Sequence, residues 1–213
     1  MLKIHCFVNG PVQENAYLLY AEGSREAVMI DPGDEGARLE KEARALGVEV
    51  KLILATHGHF DHVGAVSKLS KVFGARFAIH ASDLFLLDVL TDMAAFYGQE
   101  SSEKPEVHTA LKAGDTVGVA GLELKVLGTP GHTPGGLCYY HAESGSLFSG
   151  DTLFEGSVGR SDTEGGDHAQ LIASIHRELL TLPDSTKVYP GHGDATSIGA
   201  ERRQNPHLQG PRA

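Results

Sequence analysis

Between Thr56 and His62 the chain reads Thr-His-Gly-His-Phe-Asp-His, which places four potential metal ligands, His57, His59, Asp61 and His62, within six residues. Imidazole nitrogen and carboxylate oxygen are donors that zinc, iron and manganese all accept. His57 and His59 stand two apart, so on an extended backbone both side chains face one side. Asp61 and His62 follow where a helix is expected to begin; they point in different directions and can serve different ions. A lone histidine is usually structural or solvated, and a His-rich polar loop is the bland reading of this segment. Four ligands packed this closely, directly after the apolar run at residues 52–55, favour metal binding.

Three later turns add one ligand type each: Gly131-His132-Thr133-Pro134-Gly135, Ser149-Gly150-Asp151-Thr152 and Pro190-Gly191-His192-Gly193. Each follows a strand-like run, and glycine lets the backbone turn tightly beside an ion. One such turn is weak, because most are only turns; four ligand segments in this order are strong. Two cations about 3.5–4 Å apart can share a water and make it hydroxide at neutral pH. That chemistry would be hydrolysis, with the charge that develops on the attacked group stabilised by a metal. No Ser–His or Cys–His pair offers a rival nucleophile. His5, His80, His108, His141, His168, His176 and His207 read as structural or surface groups.

These ligands must be held by strand ends and turns. Residues 2–8, 16–21, 27–30, 52–55 and 77–80 read as strands, with a Gly-Pro turn at Gly10 and Pro11 and a stop at Asp31-Pro32-Gly33. Residues 35–46 and 63–73 have helical spacing and end at Gly47 and Gly74. Ser82 is expected to cap a helix from Asp83. Residues 89–107 are the least regular stretch and are expected to form a long loop or short helix bordering the site. In the second half, 117–119, 123–127, 137–140, 146–148 and 187–189 read as strands; 169–180 and 198–204 read as helices. No linker divides the chain, so residues 1–213 are expected to form one domain with two sheets and helices outside.

Composition narrows the partners. With 213 residues, 41% hydrophobic and 22% charged, the chain is an ordinary globular one. A formal net charge of -10 argues against nucleic acid and anionic membranes, whose phosphates demand clustered Lys and Arg. Cys6 and Cys138 both lie in apolar strand-like runs and read as buried structural thiols rather than a disulfide framework. No signal peptide and no membrane-spanning run is apparent, so a cytoplasmic location is expected.

The succession THGHFDH, GHTPG, SGDTLF and PGHG resembles the metallo-β-lactamase-like hydrolase superfamily across nearly the whole chain. It is most similar to the short members of the glyoxalase II-like branch, through Gly150–Arg160 (GDTLFEGSVGR) and the ending ERRQNPHL. The resemblance implies a four-layer αββα sandwich, two mixed sheets flanked by helices, with the site at one edge. It implies that His57, His59 and His132 hold a first metal, that Asp61, His62 and His192 hold a second, and that Asp151 bridges them. Zinc is expected first, with iron and manganese as alternatives. The implied activity is hydrolysis of S-lactoylglutathione or a related acyl thioester, with Asp61 orienting the attacking hydroxide.

The same likeness sets limits. True β-lactamases are expected to carry a Cys ligand; no ligand position here is Cys, so antibiotic hydrolysis is not expected. Gly159-Arg160 aligns with a segment that in glyoxalase II helps bind a glutathione carboxylate, which makes Arg160 a candidate substrate contact; the bland reading is a surface, salt-bridged arginine. Ser161-Asp162 stand where an aromatic is expected, and the C-terminal helical domain of full-length glyoxalase II is not expected here. A mononuclear iron persulfide dioxygenase, a lactone or ester hydrolase, a nuclease and a non-catalytic metal module are the competing readings. The acidic balance disfavours the nuclease. The closed, four-coordinate habit of structural zinc sites disfavours the module.

Overall fold

The computed structural model describes residues 1–98 and 103–209. The first sheet runs in chain order: β1 (Leu2–Asn9), β2 (Glu14–Ala21), β3 (Glu26–Ile30), β4 (Glu49–Leu54), β5 (Arg76–His80) and β6 (Thr109–Leu111). β1, β2 and β3 pair antiparallel, and β3 to β6 pair parallel. The second half supplies β7 (Thr116–Val119), β8 (Leu122–Gly128), β9 (Leu137–His141), β10 (Ser146–Gly150), the small hairpin β11 (Leu153–Phe154) and β12 (Ser157–Val158), β13 (Lys187–Pro190) and β14 (Thr196–Ser197). The second sheet is ordered β14-β13-β10-β9-β8-β7, with β10 and β13 parallel and the remaining neighbours antiparallel.

Side-chain alternation builds three cores. On β2, Ala16 and Leu18 face helices α1 (Gly36–Ala45), α2 (Phe60–Val63) and α3 (Val66–Phe73), meeting Leu39, Val63, Val66 and Leu69. Tyr17 and Leu19 face the second sheet and meet Leu124, Val126, Tyr139 and Phe148. On β9, Leu137 and Tyr139 point inward. Cys138 and Tyr140 point to the other side, with Leu171 of α6 (His168–Ser174) and Ile198 of α7 (Ile198–Gln204). A strand with both faces covered must be apolar at both parities, as β2 is. Each large side chain so buried contributes about 1.5–3 kcal/mol. The result is helix, sheet, sheet, helix: the expected two mixed sheets flanked by helices.

Several local expectations change in the tertiary setting. The helix expected over 63–73 is two helices, because Ala65 N–H donates to Pro32 O at 3.0 Å instead of continuing the first ladder. Asp61's carbonyl, its normal i−4 partner, is covered by Gly33, where a Cβ would lie 1.5 Å from that oxygen. Ser82 does not cap: its N–H donates to His80, followed by a 3-10 turn at Ala81–Asp83 and α4 (Leu84–Asp88). The stretch 89–107 contains α5 (Leu90–Phe96), while its residues 99–102 lie outside the described ones. The helix expected over 169–180 ends in a π turn at Ile175–Leu179, where Leu180 N–H reaches back to Ile175 O. Cys6 is exposed rather than buried, whereas Cys138 is buried as expected. Among the described residues no helix is long and apolar enough to cross a membrane.

Candidate metal centre

The parallel strands carry their C-terminal ends to one edge, and the ligand segments leave from there. Asp31 follows β3, His57 follows β4, Asp151 follows β10 and His192 follows β13. The ladder of β10 shifts register between Phe148 and Gly150. Gly150 has φ +47, and a Cβ there would lie 2.2 Å from Thr56 Oγ1, so only glycine lets this turn press against the His57 turn. At Gly191 a Cβ would lie 2.3 Å from Asp151 Oδ1 and 2.6 Å from His62 Cε1.

Seven side chains converge. His132 Nε2 lies 3.2 Å from His57 Nε2 and 3.0 Å from His59 Nδ1. Nitrogens held tetrahedrally at a zinc-like bond length sit roughly 3.3 Å apart, so this spacing suits one ion between them. Asp61 Oδ2 lies 3.2 Å from His192 Nε2 and 3.7 Å from His62 Nε2. Asp151 stands between the two groups, with Oδ1 3.4 Å from His62 Nε2 and Oδ2 3.7 Å from His132 Nε2 and 3.8 Å from His192 Nε2. Among the described residues, His62 Nε2 and Asp151 Oδ1 are fully buried with no hydrogen-bond partner. Orphaned buried polar atoms are costly, and a cation accepting both lone pairs removes the cost. The donor set and these orphans fit divalent metal.

Hydrogen bonds aim the lone pairs. Buried Asp31 accepts from Thr56 N–H at 2.7 Å, from Thr56 Oγ1 at 2.6 Å and, 3.0 Å away, from His62 Nδ1. Thr56 Oγ1, having donated to Asp31, is free to accept from His57 Nδ1 at 3.0 Å. His132 Nδ1 donates to the Arg160 carbonyl at 2.6 Å. In each case a proton at Nδ1 leaves Nε2 bare toward the site. Asp83 ties two ligand loops together, accepting from Gly58 N–H at 3.0 Å, Thr133 Oγ1 at 2.7 Å and Gly135 N–H at 2.6 Å. Asn15 Nδ2 donates to Pro190 O at 3.0 Å and Gly193 O at 2.9 Å, and Tyr17 Oη to Pro190 O at 2.7 Å, which anchors the His192 turn on β2.

The charges separate accordingly. Burial, with His62 and His132 nearby, pushes His57 well down. Burial and His132 push His59 down to about 4, so both are neutral donors at pH 7. Burial opposes ionisation of Asp151 and Asp61, yet His62 leads the positive groups that hold both carboxyls below their usual range. Burial likewise opposes the charged form of His62, but Asp151 and Asp61 outweigh it and hold the ring well above its ordinary value, so a proton competes with a cation for Nε2. Glu14, fully buried beside His62, also forms a potential ligand group with Asp31 and His62. Burial pushes its carboxyl well up, and a neutral acid that accepts from Asn9 Nδ2 at 2.7 Å is a poor metal ligand.

All seven residues singled out by motif lie in this cluster. Arg160 is beside it in a different sense: its carbonyl meets His132, while its guanidinium is exposed and paired with Asp162 at 2.8 Å. Asp31, Asp83, Asn15, Tyr17 and Glu14 escape the sequence reading. Asp31-Pro32-Gly33 reads there only as a strand stop, and Asp83 only as the start of a helix. A buried aspartate just after an apolar strand was the one available hint.

The comparisons agree with this geometry. The model of the metallo-β-lactamase superfamily matches residues 9–192. The hydroxyacylglutathione hydrolase GloC of Haemophilus influenzae is 36% identical, over 92% of this chain and 93% of that protein. The crystal structure of BLEG-1 B3 metallo-β-lactamase superposes with a TM-score of 0.90 at 37% identity, covering 99% of this chain and 100% of that one. That of TTHA1623 in a di-iron-bound form gives 0.86 at 41% identity, covering 96% and 100%. On the fold, the converging histidines and aspartates and these likenesses, the chain belongs to the metallo-β-lactamase superfamily.

Proposed function

We propose that the protein is a thioesterase that hydrolyses S-lactoylglutathione or a related acyl thioester. His57, His59 and His132 would hold one divalent cation, Asp61, His62 and His192 a second, and Asp151 would reach both. Zinc, iron and manganese all suit these donors, and the likeness to a di-iron-bound structure keeps iron in view. Cations bound there would make hydroxide available at neutral pH and polarise the scissile carbonyl. The observation that carries the reading is the buried pair His62 Nε2 and Asp151 Oδ1, without hydrogen-bond partners among the described residues, amid seven converging donors.

The chain's own residues then have definite tasks. Asp61, whose Oδ2 lies 3.2 Å from His192 Nε2, accepts a proton from the attacking water and orients it. The water oxygen bonds to the acyl carbon, the C–S bond breaks and the thiolate takes up the proton. A thiolate leaves readily, so no strong general acid is required. Arg160 offers an exposed guanidinium for a substrate carboxylate, in exchange for Asp162. Because its carbonyl, not its side chain, holds His132, Arg160→Ala tests the substrate contact alone.

The deciding experiment is turnover of S-lactoylglutathione by protein reconstituted separately with zinc, iron and manganese. Efficient hydrolysis, lost in Asp61→Ala, is expected. No turnover with any metal discards glutathione thioesters, and one iron per chain with oxygen uptake on a persulfide assigns the dioxygenase reading instead. β-Lactam hydrolysis is a second reading, favoured by the likeness to BLEG-1. A chromogenic cephalosporin tests it in the same assay.

A further inference from the structure

Beside the ligand cluster lies a small pocket of about 150 Å³ whose walls are Phe60, Leu86, Val89, Leu90 and Met93. His59 and Gly58 form the side shared with the metal centre, and Thr163 and Glu164 form the lip. Cavities of about 150 Å³ lined by aliphatic side chains hold one benzene ring. Whole small-molecule sites run to about 300–1,000 Å³, so this pocket takes one arm of a substrate. Among the described residues its lining contains no cationic side chain and one carboxylate, Glu164. A glutathione-type thiol carries carboxylates and would be repelled there; an uncharged apolar group would not. Thr163 Oγ1, buried without a hydrogen-bond partner among the described residues, adds one polar contact at the lip.

We propose that this pocket seats the acyl group of the substrate and selects an apolar one, a short alkyl chain or a single aromatic ring. The inference rests on the thioesterase reading and names its substrate class. The carbonyl must lie against the ligand cluster to react. Its apolar substituent can then reach past His59 into the pocket, while the thiol arm is left toward solvent and Arg160. Val89 and Met93, 45% and 40% exposed, form the accessible part of the wall. They are the residues whose size sets the acyl preference.

The test uses metal-loaded protein and acyl thioesters of one neutral thiol, N-acetylcysteamine. Benzoyl and hexanoyl thioesters are expected to exceed the acetyl thioester in kcat/KM by about tenfold or more, the scale on which an apolar pocket discriminates. Val89→Trp, which fills the pocket, should collapse that ratio. Binding supplies an independent readout: benzoate, but not acetate, should shift the labelled methyl resonance of Met93, with core residue Met29 as the reference. Equal turnover of acetyl and benzoyl thioesters, or a ratio untouched by Val89→Trp, overturns the pocket and leaves the thioesterase standing. A preference that follows the thiol rather than the acyl group also overturns it. If no thioester is hydrolysed, the thioesterase reading fails by itself. The benzoate titration then decides the subsite: a Met93 shift supports it, and none refutes it.

Discussion

Replacing Asp31 by Asn separates the aim of the metal ligands from their identity. Asp31 sits at φ +50, a conformation Asn tolerates, so the substitution leaves the backbone in place. Its carboxylate accepts three buried hydrogen bonds, from Thr56 N–H, Thr56 Oγ1 and His62 Nδ1. An amide cannot accept all three. If its oxygen faces His62, the amide N–H₂ meets Thr56 N–H, and one buried donor is lost at about 1–3 kcal/mol. If the amide turns, its N–H₂ faces His62 Nδ1 and drives the ring proton to Nε2, where the metal should bind. Either way affinity falls, by about 10–100-fold for loss of such a supporting partner. The loss should be larger at Asp61, His62 and His192 than at His57, which Asp31 reaches only through Thr56. Competition against a chromophoric chelator measures both affinities, and thermal unfolding of the metal-free protein checks the fold. Wild-type affinity for both ions in a folded Asp31→Asn protein would refute the account.

Other substitutions probe the frame around the site. Asp83→Ala strands Gly58 N–H, Gly135 N–H and Thr133 Oγ1, and should cost about 3 kcal/mol or more in urea unfolding, with Asp83→Asn milder; an effect below 1 kcal/mol, on the order of an exposed ion pair, would contradict the cross-link. Gly191→Ala should lower metal content per chain, since its Cβ would fall 2.3 Å from Asp151 Oδ1; normal loading would show that the turn yields freely. Acidification should expel the two ions unequally. Burial opposes the protonated forms of His62 and His192, but carboxylates raise both, so protons compete for these rings at higher pH than for His57 and His59. His57 and His59 are lowered by burial and their neighbouring histidines, and take up no proton over that range. Metal analysis after dialysis from pH 8 toward pH 5.5 should therefore show the ion at Asp61, His62 and His192 leaving first. Simultaneous loss would contradict the assignment.

The candidate ligands were legible in the sequence because their spacing is local. A strand, a tight turn and a helix start put His57, His59, Asp61 and His62 within six residues, and glycine marks the turns carrying His132, Asp151 and His192. The outer elements were legible for a similar reason: α1 carries its own helical spacing, which buries Leu39 and Ala43. What only the tertiary structure decided was partnership across long separations. Asp31 meets His62 31 residues away, Asp83 meets Gly135 52 residues away, and Asn15 holds Pro190 from 175 residues away. Such hydrogen bonds leave no period in the chain, because they arise where two sheets pack and bring strand ends to one edge. The break at Gly64 and Ala65 has the same origin. A helix that its own sequence would continue is interrupted when the Asp31-Pro32-Gly33 turn, from another strand, takes the Ala65 N–H and covers the carbonyl it would have used.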